Sequence, residues 1–250
     1  MHATDLLWLI PLLPFAGAAA LGAVGPRAPR AVHNALGLGA PGISLLVALA
    51  VLWDYLGRVN PEPFQQVLYA WTAGAIAIDV AFLLDPLSAV MLFVVTFVGF
   101  LIHVYSAGYM AHEAGYQRYF AYLNLFMGAM LLLVLGSNFL VMFVGWEGVG
   151  LCSYLLIGFY YKEGWCADAG RKAFVVNRIG DFGFLVATFA LFAAFGTLDF
   201  GTLFGQVAAN PALVSGDYLL GLSLAGYNVL ISLLMAVMAL WGIVAAKRAA

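Results

Sequence analysis

Charged residues are scarce in this chain of 250 residues, where they make up 9% of the total and hydrophobic residues 65%. A soluble domain usually carries about 25% charged residues and about 45–50% apolar ones. Too little polar surface remains to cover a water-facing globule, which excludes a soluble enzyme and a disordered chain. The composition indicates an all-α polytopic membrane protein instead.

Other absences narrow the function further. The net charge of −2 gives no basic footprint for nucleic acid. The two cysteines, Cys152 and Cys166, lack the paired spacing of a zinc or redox site and cannot form a disulfide framework. No glycine-rich phosphate loop, Ser/His/Asp grouping or histidine cluster is present. We therefore expect no flavin, iron–sulfur cluster, nucleotide or metal in this chain.

What the sequence does contain is long apolar runs, each near the roughly 20 residues that cross a bilayer as a helix. Seven runs qualify as predicted spans, at 5–24, 34–56, 84–106, 119–136, 138–160, 171–196 and 219–246. Pro11 and Pro14 fall inside the first span, where neighbouring helices must satisfy the carbonyls that a proline frees.

The distribution of basic residues predicts the orientation of these spans. Arg58 is the single basic residue in one set of alternate loops. The opposite set holds eight: Arg27, Arg30, Arg118, Lys162, Arg171, Lys172, Lys247 and Arg248. Cytoplasmic loops carry the excess of Lys and Arg, so the N-terminus is predicted outside and the C-terminus in the cytoplasm.

Two outer loops are predicted to have structure of their own. Residues 67–82 are rich in β-branched and aromatic residues around Gly74 and Ala75, a pattern typical of a short hairpin on the outer surface. Residues 199–209 place apolar side chains on one face of a short helix that Asp199 is suited to cap.

Glu147 is the sharpest candidate for function because it sits near the middle of the fifth predicted span, between glycines. A charge at mid-bilayer costs about 2.5–3.5 kcal/mol on insertion scales. No basic residue lies within two helical turns in the sequence, so Glu147 needs a partner from another helix or must hold a proton near neutral pH. The alternative is a structural carboxyl group that is hydrogen-bonded between helices.

The sixth predicted span carries Lys172, Arg178 and Asp181. Arg178 and Asp181 are three residues apart, so they share a helix face and are expected to pair, either statically or as a switch acting on Glu147. Lys172 is a second charged candidate, with a snorkelling anchor as the equal alternative. Asp85 before Pro86 predicts a helix cap, and His103 is expected to be an ordinary polar residue near the interface.

Several of these stretches resemble one known family. Residues 143–159, which include Gly145-Trp146-Glu147-Gly148, closely resemble the fifth helix of the large antiporter-like subunit of respiratory complex I, NADH–quinone oxidoreductase subunit L or subunit 5. Residues 172–183 resemble its sixth helix, and 85–88 and 105–110 resemble its third helix and exit. The resemblance runs from about residue 5 to about residue 200.

The resemblance implies an antiporter-like bundle in which the acid matching Glu147 binds the translocated proton and residues matching Arg178 and Asp181 form the charged network nearby. Electron transfer and quinone reduction occur in other subunits, so this chain is expected to act as a subunit of an oxidoreductase translocase without carrying the redox chemistry. The implied partners are other membrane subunits of complex I and the lipid bilayer, in a bacterial inner membrane.

Family members are longer and continue into a second, inverted bundle, so the chain is expected to be an incomplete, truncated or frameshifted, subunit. We assign 1–118 to helices 1–3 with the outer loop 57–83, and 119–250 to antiporter-like helices 4–7. The seventh predicted span has no central lysine. Lys247 is either the family's seventh-helix lysine or, slightly favoured, a positive-inside anchor.

Three functional hypotheses remain. The leading one is a proton-translocating subunit of complex I. The second is the large subunit of a multi-subunit Mrp-type sodium/proton antiporter, against which Trp146-Glu147 and Leu151-Cys152-Ser153 favour complex I. The third is a helical scaffold without a transport role, in which Glu147 titrates normally or stays in a permanent ion pair.

Overall fold

The structure, a computed structural model, describes residues 2–58, 62–73 and 76–210. After a short 3₁₀ turn at Ala3–Leu6, these residues form seven α-helices and one two-stranded sheet. The helices are α1 Leu9–Val24, α2 Arg30–Leu56, α3 Pro86–Tyr109, α4 Tyr116–Leu135, α5 Phe139–Ile157, α6 Gly164–Phe195 and α7 Phe200–Ala209. The strands are β1 Phe64–Ala73 and β2 Ile76–Leu84.

Six segments in the described part are long and apolar enough to cross a membrane: Ala3–Val24 and the helices α2 to α6. They coincide with the first six predicted spans, and the protein is a multi-pass membrane protein. The seventh predicted span, 219–246, lies outside the described residues.

Contacts divide the chain into a unit that ends at Phe200 and a unit that begins at Gly201, of which residues 201–210 are described. The predicted domain division at residue 118 stays a prediction.

Two helices begin well before the predicted spans, at their polar ends. The start of α6 is Gly164 rather than residue 171, and α2 begins at Arg30 rather than at residue 34. With 32 residues, α6 is about 48 Å long, compared with a hydrocarbon core of about 30 Å. The backbone hydrogen bonds continue through polar residues outside the bilayer, whereas a hydropathy pattern detects only the apolar part.

The predicted hairpin is confirmed and is longer than the pattern indicated. Strands β1 and β2 pair antiparallel from Phe64 opposite Leu84 to Ala73 opposite Ile76, with an irregularity between Val67 and Tyr69. Its second strand is fixed to the loop between α4 and α5, where Asn138 Nδ2 donates to the carbonyl of Asp79 over 2.7 Å. The hairpin therefore packs on the same end of the bundle as the start of α5.

Two prolines inside helices leave carbonyls without their usual donor, and side chains from other helices replace it. Pro14 lacks the N–H that would bond the carbonyl of Ile10, and Ser44 Oγ of α2 donates to that carbonyl over 2.8 Å. Pro41 likewise frees the carbonyl of Gly37, which accepts from Asn124 Nδ2 of α4 over 3.0 Å. The expectation that a neighbouring helix satisfies such a carbonyl is confirmed for Pro14.

Glycines set the close approach of α1, α2 and α4. A Cβ at Gly17 would lie 2.6 Å from the Cβ of Ala40, and one at Gly37 would lie 2.8 Å from the ring of Phe120. Helix α3 begins as predicted at Asp85, whose Oδ1 accepts from the backbone N–H of Ser88 over 2.6 Å. Helix α5 packs on α4 of this group, and α6 packs on α5.

Candidate functional site

The site begins with the two faces of α5. A Cβ at Gly145 would overlap the backbone of Leu133, lying 2.6 Å from its Cα, and one at Gly148 would lie 2.9 Å from the Cβ of Ala129. These glycines therefore allow α5 to pack directly on α4. Glu147 is two residues from Gly145, which is about 200° around the helix, and it faces α6.

The partner of Glu147 is Arg178 of α6, whose Nη1 pairs with Glu147 Oε2. Glu147 is the ninth of the 19 residues of α5, so this ion pair lies near the middle of a spanning helix. The Glu147 side chain is 23% exposed, and the Arg178 side chain is 41% exposed. The prediction that the partner comes from another helix is confirmed, and the carboxylate faces a protein neighbour.

Arg178 also faces a second carboxylate on its own helix. The distance from Arg178 Nη1 to Asp181 Oδ2 is 3.7 Å, so the pairing expected from the spacing is present. Asp181 is the most buried of the three side chains, at 7% exposure. A single guanidinium therefore lies between two acids, in closer contact with Glu147 than with Asp181.

Asp181 has a further partner on α5. Trp146 Nε1 donates to Asp181 Oδ1 over 2.7 Å. A hydrogen bond to a buried ionised carboxylate offsets part of the free-energy cost of taking that charge out of water. Trp146 and Glu147 are adjacent on α5, so neighbouring side chains hold the two ends of the Asp181–Arg178 pair.

Aromatic rings surround this charged group. The guanidinium carbon of Arg178 lies 4.6 Å from the centre of the Phe174 ring, a cation–π contact on the same helix. On the other side, Phe184 stacks on Trp146 with ring centres 6.0 Å apart, and on Phe143 at 5.4 Å. The Phe174 ring thus covers one side of the guanidinium, and Phe184 stacks on the indole whose N–H reaches Asp181.

This arrangement has one cation for two acids. If Arg178 leans toward Glu147, Asp181 keeps the indole N–H as its partner. If Arg178 moves toward Asp181, Glu147 loses the cation that it contacts. The geometry therefore allows one cation to be exchanged between two carboxyl groups.

Lys172 and His103 are not among the residues that contact this group. Lys172 is exposed on α6, eight residues after the helix begins, and its role stays a prediction. Lys247 lies outside the described residues. His103 is 1% exposed, and its Nδ1 lies 2.7 Å from the carbonyl of Gly99. The expectation that it is an ordinary polar residue near the interface stays a prediction.

Sequence reasoning missed the contributions of Trp146 and Phe174. The available signal was an indole N–H one residue before an intramembrane acid, since an indole N–H within a membrane span needs an acceptor. Within residues 2–58, 62–73 and 76–210 there is no group of three His, Cys, Asp or Glu side chains that could hold a metal ion. The expectation that this chain holds no cofactor stays a prediction.

Two family profiles match the chain. The profile described as NADH-Ubiquinone oxidoreductase (complex I), chain 5 N-terminus matches residues 71–120. The profile described as NADH:quinone oxidoreductase/Mrp antiporter, TM matches residues 136–246, which include α5 and α6. The second match thus contains the three charged residues of the site.

Curated relatives agree with these profiles. NADH-quinone oxidoreductase subunit L of Mycobacterium tuberculosis H37Rv is 44% identical over 220 residues, which cover 87% of this chain and 35% of that protein. Subunit L of Escherichia coli K12 is 44% identical over 197 residues, 78% of this chain and 32% of that protein. The chain thus spans about a third of the length of the curated relatives it matches.

Solved structures share the fold. A chain of the membrane-bound sulfane sulfur reductase, an archaeal respiratory membrane complex, superposes with a TM-score of 0.71 at 20% identity, over 84% of this chain and 42% of that one. A chain of the Mrp complex from Dietzia sp. superposes with a TM-score of 0.66 at 23% identity, over 83% of this chain and 22% of that one. At these identities the likeness concerns the fold alone.

Proposed function

Because the chain belongs to the family of NADH–quinone oxidoreductase subunit L, the chain 5 family of complex I, we propose that it takes part in proton translocation coupled to electron transfer in other subunits. Glu147 binds the proton, and Arg178 and Asp181 set how tightly it is held. The redox chemistry takes place elsewhere in the complex. The partners are other membrane subunits of that complex and the surrounding lipid.

The observation that carries this proposal is the shared guanidinium. Arg178 pairs with Glu147 and lies 3.7 Å from Asp181, so a small side-chain movement exchanges one acid for the other. Moving one charge against 100 mV needs about 2.3 kcal/mol. One unit of pKa corresponds to about 1.4 kcal/mol. The free-energy change from exchanging the counter-ion of a carboxyl group in a dry site is therefore of the required size.

Lys172 is a secondary candidate for the proposed proton path, with a snorkelling anchor as the equal alternative. Lys172 is six residues before Arg178, about 9 Å along α6, which is within reach of a proton relayed by water. For Lys247 the two interpretations given above remain, a lysine of the seventh span or an anchor in the cytoplasm.

The proposed location is a bacterial inner membrane, with the N-terminus outside and the C-terminus in the cytoplasm. The excess of Lys and Arg in one set of loops supports this orientation. A cysteine placed at Lys162, in a loop of the basic set, should react with a membrane-impermeant thiol reagent only in inside-out vesicles. Reaction of that cysteine in intact cells would reverse the orientation.

The direct test is Glu147→Gln in a complete complex that contains this subunit, with Glu163→Gln as the matched control. Both changes are isosteric, but Glu163 is exposed in the loop before α6. We expect Glu147→Gln to abolish proton pumping linked to NADH oxidation in proteoliposomes, and Glu163→Gln to leave it unchanged. Normal pumping by Glu147→Gln refutes the proposal.

Two alternatives predict different results. In an Mrp-type sodium/proton antiporter, the subunit co-purifies with small antiporter subunits rather than with NADH dehydrogenase subunits. In a scaffold, Glu147 stays in its ion pair throughout turnover, so its carboxylate band in difference infrared spectra does not change when NADH is added. A carboxyl band that appears during turnover and is absent from Glu147→Gln supports the transport role.

A further inference from the structure

A cavity of about 370 Å³ lies between the loop that joins α1 to α2 and the loop that joins α3 to α4. Arg30, His33, Tyr116 and Arg118 are among the residues that line it. None of these residues belongs to the charged group around Glu147. The cavity therefore needs an explanation that the proton-binding site does not supply.

Two arginines give the cavity its charge. The guanidinium of Arg30 lies over the ring of Tyr116, 5.0 Å from its centre, and has no carboxylate within salt-bridge distance among the residues that the structure describes. Arg118 is held between the rings of Phe159 and Tyr161 and donates one of its five N–H groups to the carbonyl of Phe159 over 3.0 Å. Both guanidinium groups are thus positioned by aromatic rings, with N–H donors left to bind an anion.

The helix ends at this cavity add to the positive potential. Helix α2 begins at Arg30 and α4 begins at Tyr116. Neither start has a side-chain cap or an acidic residue in its first turn, although acids are the favourable residues there. An arginine in the first turn of each helix is unfavourable for the helix alone and becomes favourable when an anion sits between them.

One acid, Glu113, also lines the cavity. Among the described residues, Glu113 forms no salt bridge with either arginine, and it lies near Tyr160 in the loop between α5 and α6. Burial, followed by the nearby Glu113 carboxylate, raises the pKa of Tyr160. The two arginines therefore outnumber the one acid at this cavity.

The position of the cavity indicates the source of the anion. It lies where α1 and α3 end and α2 and α4 begin, which is the level of the lipid headgroups for helices that span a bilayer. Arginines between spanning helices at this level favour the phosphate groups of anionic lipids. We infer that this cavity binds a phosphate oxyanion, supplied by an anionic lipid headgroup or by free phosphate.

The test uses the complete complex, reconstituted with photoactivatable phosphatidylglycerol, and measures labelling of the peptides around Arg30 and Tyr116 by mass spectrometry. We expect Arg30→Gln to reduce this labelling about fivefold, since one basic residue near the headgroups contributes about 1 kcal/mol. Arg27→Gln is the matched control, because Arg27 lies in the same loop but does not line the cavity. It should retain most of the labelling.

Further arms separate the outcomes. Photoactivatable phosphatidylcholine with the same acyl chains should label these peptides weakly. To identify the source of the anion, the labelling is repeated in inorganic phosphate and in sodium chloride at the same ionic strength. Lipid labelling that persists in phosphate supports a headgroup site. Labelling that is lost in phosphate but not in sodium chloride supports a site open to free phosphate. Equal labelling by both lipids, or equal losses in Arg30→Gln and Arg27→Gln, overturns the inference. Equal elution of the variant complexes on size exclusion shows that assembly is intact.

Discussion

Trp146 Nε1 donates to Asp181 Oδ1 over 2.7 Å, and this hydrogen bond joins α5 to α6 beside the Glu147–Arg178 ion pair. It occupies one oxygen of Asp181, while the other lies 3.7 Å from Arg178. Because Asp181 is 7% exposed, the indole N–H provides part of the stabilisation that water would give. The position of Arg178 therefore depends on Trp146 as well as on the two carboxylates.

We predict that Trp146→Phe shifts Arg178 toward Asp181 and leaves Glu147 without its cation. Phenylalanine keeps the stacking on Phe184 but removes the N–H donor, and a hydrogen bond to a charged group contributes about 1.5–3 kcal/mol. Proton pumping per NADH oxidised should fall, while the complex still assembles. Trp165→Phe is the control, because Trp165 is 74% exposed. Pumping equal in both variants contradicts the role of the indole.

A second prediction concerns the state of Glu147 when its cation is removed. Arg178→Gln leaves the carboxylate in the middle of α5 without a counter-ion, so we expect Glu147 to hold a proton at neutral pH. Infrared spectroscopy should then detect a protonated carboxyl band that disappears in the Arg178→Gln/Glu147→Gln double variant.

The control for this prediction is Arg171→Gln on the same helix. Arg171 pairs with Asp168 three residues away, and both side chains are largely exposed. Exposed ion pairs contribute about 0–1 kcal/mol, so this variant should give no carboxyl band. If the infrared spectra of Arg178→Gln and Arg171→Gln match, the protonation state of Glu147 does not depend on Arg178.

A third prediction tests the packing of α5 on α4. Gly145→Ala places a methyl group 2.6 Å from the Cα of Leu133, which forces the helices apart. Overpacking of this kind costs about 1–3 kcal/mol, so the thermal midpoint of the subunit in the complex should fall. Gly150→Ala lies on the same helix with nothing within 4 Å of its added Cβ, and it should be neutral. Equal midpoints for the two variants contradict the close contact.

The fourth prediction is a double-mutant cycle on the proline-freed carbonyl in α1. Ser44→Ala removes the donor to the carbonyl of Ile10 and leaves a buried acceptor unpaired, which costs about 1–3 kcal/mol. Adding Pro14→Ala restores a backbone N–H four residues after Ile10. The loss of stability caused by Ser44→Ala should therefore largely disappear in the double variant. Additive losses measured by thermal unfolding mean that Ser44 stabilises the protein in another way.

Much of the fold follows from local sequence signals. Apolar runs predicted six spans that the structure confirms, and β-branched and aromatic residues predicted the hairpin. The helix starts were less well predicted, as at Gly164, because polar residues continue a helix outside the bilayer without any change in hydropathy. The burial of His103 was not predicted for a related reason: it results from packing against α4, which no pattern within α3 contains.

The site could be predicted in part. The spacing of Arg178 and Asp181 predicted that they pair on one helix, and the isolation of Glu147 predicted a partner on another helix. The sequence did not identify Arg178 as that partner, because residues 147 and 178 are 31 positions apart and no local pattern connects them. The donor to Asp181 was missed for the same reason.

The sequence by itself determined that this protein lies in a membrane, where its helices run, and that an acid lies within the fifth of them, since hydropathy and residue spacing are properties of the chain. Only the tertiary structure decided that Arg178 lies between Glu147 and Asp181 and that Trp146 reaches across to α6. Those contacts depend on how closely and at what rotation α5 packs against α4 and α6, which the glycines at 145 and 148 and the aromatic rings set together.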